Sequence, residues 1–247
     1  MARTPAHPLA EHPLDRLAGK VHCTLPPHNR AYLHALMLEA SLAQCQPFVK
    51  GDLLDVGCGR CPYKLTFFAS ARKYIGTDYL SDRSRPNVIS SALQIPFAAN
   101  SFDTVVSTEV LEHVPDPLQA MREMRRVLKP GGFLILSTPM YWPRHEEPYD
   151  FFRYPYDGIL HLVNESGLQL TKLFNRGRSY AFLGQALQHV HPVAARPVNW
   201  LINQFFLWCD RRLKHDVLTM GWTVVARKPE LPGADRPGDM ASMKLAL

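Results

Sequence analysis

Apolar and polar positions change period repeatedly along the middle of the chain. "GDLLDVG" at 51–57 is a short apolar run closed by glycine, and "KYIGTD" is a second that ends in Asp78. "NVISSA", "FDTVVST" and "FLILSTP" follow as further runs of the same kind. Runs this short and this continuously apolar predict strands covered on both faces. Helical spacing separates them. "YKLTFFAS" predicts a short helix, with Pro62 suited to its first turn. "DPLQAMREMRRVLKPGG" lines Leu118, Met121, Met124, Val127 and Leu128 along one face. Asp116 is its cap, Pro117 its opening residue and Gly131 its closing one. Upstream, Asn29 caps "RAYLHALMLEASLAQ", where Leu33, Leu36, Met37 and Ala40 share a side. Downstream come a helix in "YPYDGILHLVNESG", a strand in "LQLTKLF" and a last strand in "VLTMGWTVVARK". The alternation predicts an α/β fold with a doubly wound parallel sheet. Residues 177–216, between the last two strands, are not required by that pattern.

Boundaries follow from composition. Residues 1–28 are rich in Pro and His and predict a loosely ordered arm. Residues 29–228 form the domain, with 177–216 as a helical insertion, and 229–247 read as a Pro/Gly-rich tail. No segment has the roughly 18 consecutive apolar residues of a membrane-spanning helix. Residues 1–20 lack the apolar centre of a secretory signal, so a cytoplasmic location is expected. A net charge of +6 with dispersed arginines predicts no nucleic-acid partner. The five cysteines have no regular spacing, which argues against a disulfide framework.

The stretch "LLDVGCGRCPY" leaves three readings open: a nucleotide-type loop, a redox or metal Cys-x-x-Cys at Cys58 and Cys61, or an ordinary strand-to-helix turn. A zinc site would want a second ligand pair close behind, and none follows. A dinucleotide fingerprint would need glycine where Pro62 stands. Asp78, about twenty residues on at the end of the second strand, sits where a ribose-binding acid belongs.

With "LLDVGCG", "YIGTD", "IPFAANSFDTVVSTEVLEHVPDP" and "RVLKPGGFLILSTP" in that order, the chain resembles class I S-adenosylmethionine-dependent methyltransferases of the type-11 group. "GCGRCPY" with "HEEPYDFFRY" is similar to bacterial members associated with surface-polysaccharide biosynthesis. The resemblance implies a Rossmann-like, seven-stranded sheet with an antiparallel last strand. It implies that Asp55, Gly57, Cys58 and Gly59 surround the methionine part of S-adenosyl-L-methionine. Asp78 would accept from both ribose hydroxyls, with Tyr79 beside the adenine and Ala92 and Leu93 on its other side. Thr108 and Glu109 would sit near the methionine amino group. Ser91 stands where the family usually has Asp, so its hydroxyl would accept from the adenine amino group less strongly.

The expected reaction is methyl transfer, O-directed, to a small-molecule, glycan or lipid-linked acceptor. The rivals are a cofactor-binding regulatory or scaffold domain without turnover and a nicotinamide oxidoreductase. His113 is the candidate base, since an imidazole ordinarily titrates near neutrality; the alternative is that it holds the loop. Glu109, Glu112 and His113 converge if they form a helical turn, and His145, Glu146 or Glu147 would complete a shell for Mg²⁺, Mn²⁺ or Zn²⁺. The same motif also serves as plain pocket wall. His145, Tyr149, Phe152, Arg153 and Tyr154 are expected around the acceptor. Arg153 suits either an anionic acceptor group or a pairing with Glu146 or Asp150. The segment 199–214, aromatic with Arg211, Arg212 and Lys214 at one end, suits peripheral contact at the inner face of a membrane. It equally suits a lid, a dimer contact or packing on the sheet.

Overall fold

The computed structural model describes residues 10–15, 23–79, 86–192 and 195–230. Strands β1 (Asp52–Val56), β2 (Lys73–Asp78), β3 (Val88–Ile89), β4 (Phe102–Thr108), β5 (Leu128–Pro139), β6 (Gln169–Asn175) and β7 (Gly221–Arg227) form one sheet in the order β3-β2-β1-β4-β5-β7-β6. β7 runs antiparallel to both β5 and β6; the other pairings are parallel. Helices are α1 (Tyr32–Cys45), α2 (Pro117–Val127), α3 (Tyr156–Glu165), α4 (Ser179–Val190) and α5 (Arg196–Leu213).

Successive strand residues point to opposite faces, and each face has its own core. Leu54, Val105, Leu134 and Val224 pack with Met121 and Met124 of α2 and Ile159 and Val163 of α3. Their neighbours Leu53, Val106, Ile135 and Val225 pack with Leu38 and Leu42 of α1. This is the doubly wound arrangement the apolar runs predict. The switch point lies between β1 and β4, where strand order reverses, and a cleft opens beyond their carboxyl ends.

Several local expectations differ from the structure. Residues 62–70 form turns rather than a helix. Phe67 and Phe68 are both drawn into the core under Leu53 and Val106, and burying two successive residues fits a turn better than a single helical stripe. α2 stops at Val127 instead of Gly131. Pro130 disfavours helical geometry at Lys129, and Leu128 instead pairs with Phe102 to start β5. Asn29 lies ahead of α1 and caps a preceding turn, its side chain accepting from the Ala31 amide at 2.8 Å. Part of the expected loose arm is docked: the Glu11 amide donates to Leu173 at 2.8 Å, and His12 is buried against Asp210. Residues 1–9 and 16–22 of the arm, and all but the first two residues of the expected tail, lie outside the described residues. The insertion 177–216 contains α4 and α5, packed on each other and on α1.

Candidate functional site

A cavity of about 670 Å³ lies at the switch point, within the range of small-molecule sites, roughly 300–1,000 Å³. The loop after β1 forms one wall. Gly57 and Cys58 donate their amides to the Thr77 carbonyl at 2.8 and 3.0 Å, which folds the loop over the end of β2. Gly57 has φ +75°, and a Cβ there would meet Val110 at 2.3 Å, so both conformation and space require glycine. A Cβ on Gly59 would meet nothing within 4 Å, which leaves that backbone open to a ligand. The Gly59 amide donates to the Asp78 carboxylate at 2.8 Å, joining the loop to the acid at the end of β2.

Asp55 lies behind this wall at 3% exposure and does not line the cavity. Tyr74 donates its hydroxyl to one carboxyl oxygen, and the other has no partner among the described residues. Burial pushes the Asp55 carboxyl up to about 7, against the lowering effect of Tyr74. The native state therefore favours the protonated acid. Its stabilising contribution is complete below the ordinary value near 4 and is lost as pH rises through about 7. Asp55→Asn keeps the shape without the charge. It should raise stability relative to the parent by up to roughly 4 kcal/mol near pH 8 and change it little near pH 4. Thermal melts of both proteins across that range check this; parallel curves would contradict it.

The opposite wall follows β4. Leu111–His113 forms a 3₁₀ turn that brings His113 to the cavity. His113 Nδ1 lies 2.8 Å from the Tyr149 carbonyl, which only accepts, so Nδ1 carries the proton and a neutral ring keeps its lone pair on Nε2. Nε2 lies 3.8 Å from oxygens of both Glu112 and Glu146. The His145 ring packs edge-on at 4.7 Å, with its Nδ1 3.2 Å from the Pro143 carbonyl. One donor atom from each of Glu112, His113 and His145 lies within 4.8 Å of the others. Glu112 is 1% exposed, and one of its oxygens has no partner among the described residues. Burial, then the charge of Glu109, push its carboxyl well above the ordinary range.

Glu109 does not join that cluster. It adopts φ +52° and turns toward Arg176, whose guanidinium lies 2.9 Å away, while Ser137 donates to it at 2.9 Å. Burial opposes its charge, yet Arg176, His34 and Ser137 hold its carboxyl below the ordinary value. Burial also pushes the imidazole of His34 down to about 4.

Of the residues expected from sequence, Gly57, Cys58, Gly59, Asp78, Tyr79, Ser91, Ala92, Leu93, Thr108, Glu109, His113 and Tyr149 all line the one cavity. Ser91 Oγ already accepts from the Leu93 amide at 3.1 Å. His145, Phe152, Arg153 and Tyr154, also expected around the acceptor, are not in its lining, whereas Phe151 is. Arg153 grips Asp150 at 2.6 and 2.9 Å and the Trp142 carbonyl, so it ties the loop to itself. Neither Cys58 nor Cys61 forms a disulfide. Burial, then the nearby Asp55, push the Cys58 thiol upward, which opposes the thiolate that redox or metal use would need. Glu146, a candidate metal ligand from sequence, lines the cavity, as do Arg60 and Tyr63 of "GCGRCPY", to which the sequence assigns no role; Arg176 reaches Glu109 only through the fold.

The doubly wound sheet thus carries a glycine loop, a strand-end acid and a cavity at its switch point, where open α/β sheets take ligands. Residues 54–136 match the family described as a methyltransferase domain. An uncharacterised methyltransferase of Mycobacterium tuberculosis is 38% identical over 103 residues, covering 37% of this chain and 41% of that protein. The chain thus spans about two fifths of the length of the curated relatives it matches. Among solved structures, the cyclase SpnF is similar with a TM-score of 0.54 and 22% identity, over 86% of this chain and 89% of that one. A putative methyltransferase from Bacillus halodurans gives 0.52 and 20% identity, over 77% and 98%. At these identities the likeness is one of fold.

Proposed function

We propose that the protein transfers a methyl group from S-adenosylmethionine to an oxygen of a small-molecule, glycan or lipid-linked acceptor. One observation carries the reading: Asp78, the Gly57–Gly59 backbone and His113 face a single cavity. When bound, the sulfonium compound supplies an activated methyl group and a neutral leaving group. The residues present fit it. Asp78 offers a carboxylate to vicinal hydroxyls, Gly59 leaves backbone open, and Ala92, Leu93 and Tyr79 offer an apolar slot for a base. Glu109, kept ionised by Arg176, suits a cationic amino group. His113 Nε2 is oriented to take a proton from an acceptor hydroxyl, and the Glu146 carboxylate stabilises the resulting imidazolium. Tyr149 and Phe151 limit water at the acceptor side. Release of S-adenosylhomocysteine on mixing the protein, S-adenosylmethionine and a panel of glycan, quinol and lipid-linked acceptors tests this. The fold alone does not fix the reaction. Cofactor binding without release against any acceptor would favour the scaffold reading.

The cluster of Glu112, His113 and His145 supports a second reading, a divalent cation. Both imidazoles have Nδ1 against a carbonyl, which leaves Nε2 for a metal, and Glu112 has an unpartnered buried oxygen. A cation there would take the same Nε2 that a base would use. Equilibrium dialysis against Mn²⁺ or Zn²⁺ should find one bound ion, lost in His145→Ala; no bound ion would leave His113 as the base.

A further inference from the structure

We infer that the outer face of α5, with the adjoining stripe of α4, docks on the surface of an anionic lipid bilayer. The helix is inside out. Its polar residues Asn199, Asn203 and Asp210 are at most 4% exposed, while Leu201, Phe205 and Trp208 are 60%, 58% and 55% exposed. Asn203 and Asp210 find partners inside, while the Asn199 side-chain oxygen has none among the described residues. Asn203 donates to the carbonyls of Pro27 and Asn29 at 2.9 and 2.8 Å and accepts from Gln188 at 3.0 Å. Asp210 accepts from the Ala181 amide at 2.9 Å and pairs with His12 at 3.1 Å. These bonds fix the rotation of the helix, so the outward apolar stripe is held there by the fold. On α4, Leu183, Leu187 and Val190, at helical spacing, are also exposed. The lone exposed apolar residues found on most proteins do not form such stripes.

Charge decides what covers this face. Arg196 at one end of α5 and Arg211, Arg212 and Lys214 at the other are exposed. Across 179–214 Asp210 is the single acidic residue, and it is buried. A second copy packed on this face would bring basic ends together with no carboxylate to meet them. Anionic headgroups complement those ends, while the Trp200 and Trp208 rings suit the headgroup boundary. Among the described residues no helix is long and apolar enough to cross a membrane, so the contact is a peripheral one. On the inner side of α4, His189 packs edge-on against Trp142 at 4.8 Å, and Trp142 lies tilted against His34, beside Glu109. Docking would therefore connect the bilayer face through these rings to the Glu109 wall of the cavity, whose role rests on the reading above; the docking itself does not.

The test uses the full chain with vesicles of phosphatidylcholine alone or mixed with phosphatidylglycerol. Co-sedimentation should be at least tenfold stronger on the anionic vesicles, fall with salt, and bring a blue shift of tryptophan emission. Phe205→Ser with Leu201→Ser, both at exposed positions, should cut binding by on the order of tenfold. Arg211→Gln with Arg212→Gln should abolish most of the anionic preference. S-adenosylmethionine titration should be unchanged in both double variants, which separates this proposal from the methyltransferase reading. No binding to anionic vesicles at low salt overturns it, as does binding indifferent to the substitutions. A dimer lost in Phe205→Ser without vesicle binding would also overturn it, assigning the face to a second copy.

Discussion

Asp78→Ala is expected to weaken S-adenosylmethionine binding by about a hundredfold, with the fold retained. In the proposed site the carboxylate accepts two ribose hydroxyls, and hydrogen bonds to charged groups contribute about 1.5–3 kcal/mol each. Two such bonds, partly offset by water, correspond to roughly 2–3 kcal/mol, or two decades in affinity. The carboxylate also holds the Gly59 amide at 2.8 Å, so its loss loosens the glycine wall as well. Calorimetric titration of the variant against the parent checks this, with a thermal melt to show that the protein still folds. An affinity within twofold of the parent would remove Asp78 from the site.

His113→Ala is expected to lower kcat by about 10²–10⁴-fold, the range of a lost general base, while cofactor affinity changes little. The expectation rests on tautomer geometry. The Tyr149 carbonyl fixes the proton on Nδ1 at 2.8 Å and leaves Nε2 3.8 Å from oxygens of Glu112 and Glu146. His113→Gln is a useful companion, because its side-chain amide can preserve the bond to Tyr149 without taking a proton. If His113 only held the loop, the glutamine variant would retain most of the activity that alanine loses. Equal, large losses in both variants support the base.

Much of the cavity's glycine-loop wall was legible because it depends on local chemistry. A run of apolar residues ending in glycine marks β1 and its loop, and the acid at the end of the next run marks Asp78. β4 runs from Phe102 to Thr108 as its pattern implies, and Asp116 caps α2 by accepting from the Gln119 amide at 3.0 Å. What was not legible depends on contacts between distant segments. The turns at 62–70 replace a helix because Phe67 and Phe68 both find space in the core. Glu109 looked like a member of an E-x-x-E-H ligand set, but Arg176 arrives from the end of β6 and turns it away. α5 teaches the same lesson differently. Its periodicity shows two faces but not which one is buried, and its polar face found partners inside.

The central claim is that the loop after β1 and the acid of β2 hold an amino-acid-bearing nucleoside sulfonium. Calorimetric titration of the intact protein with S-adenosylmethionine and, in parallel, with NAD tests it most directly. The account predicts saturable, one-to-one binding of the first and none of the second. No heat with S-adenosylmethionine, or preference for NAD, would contradict it.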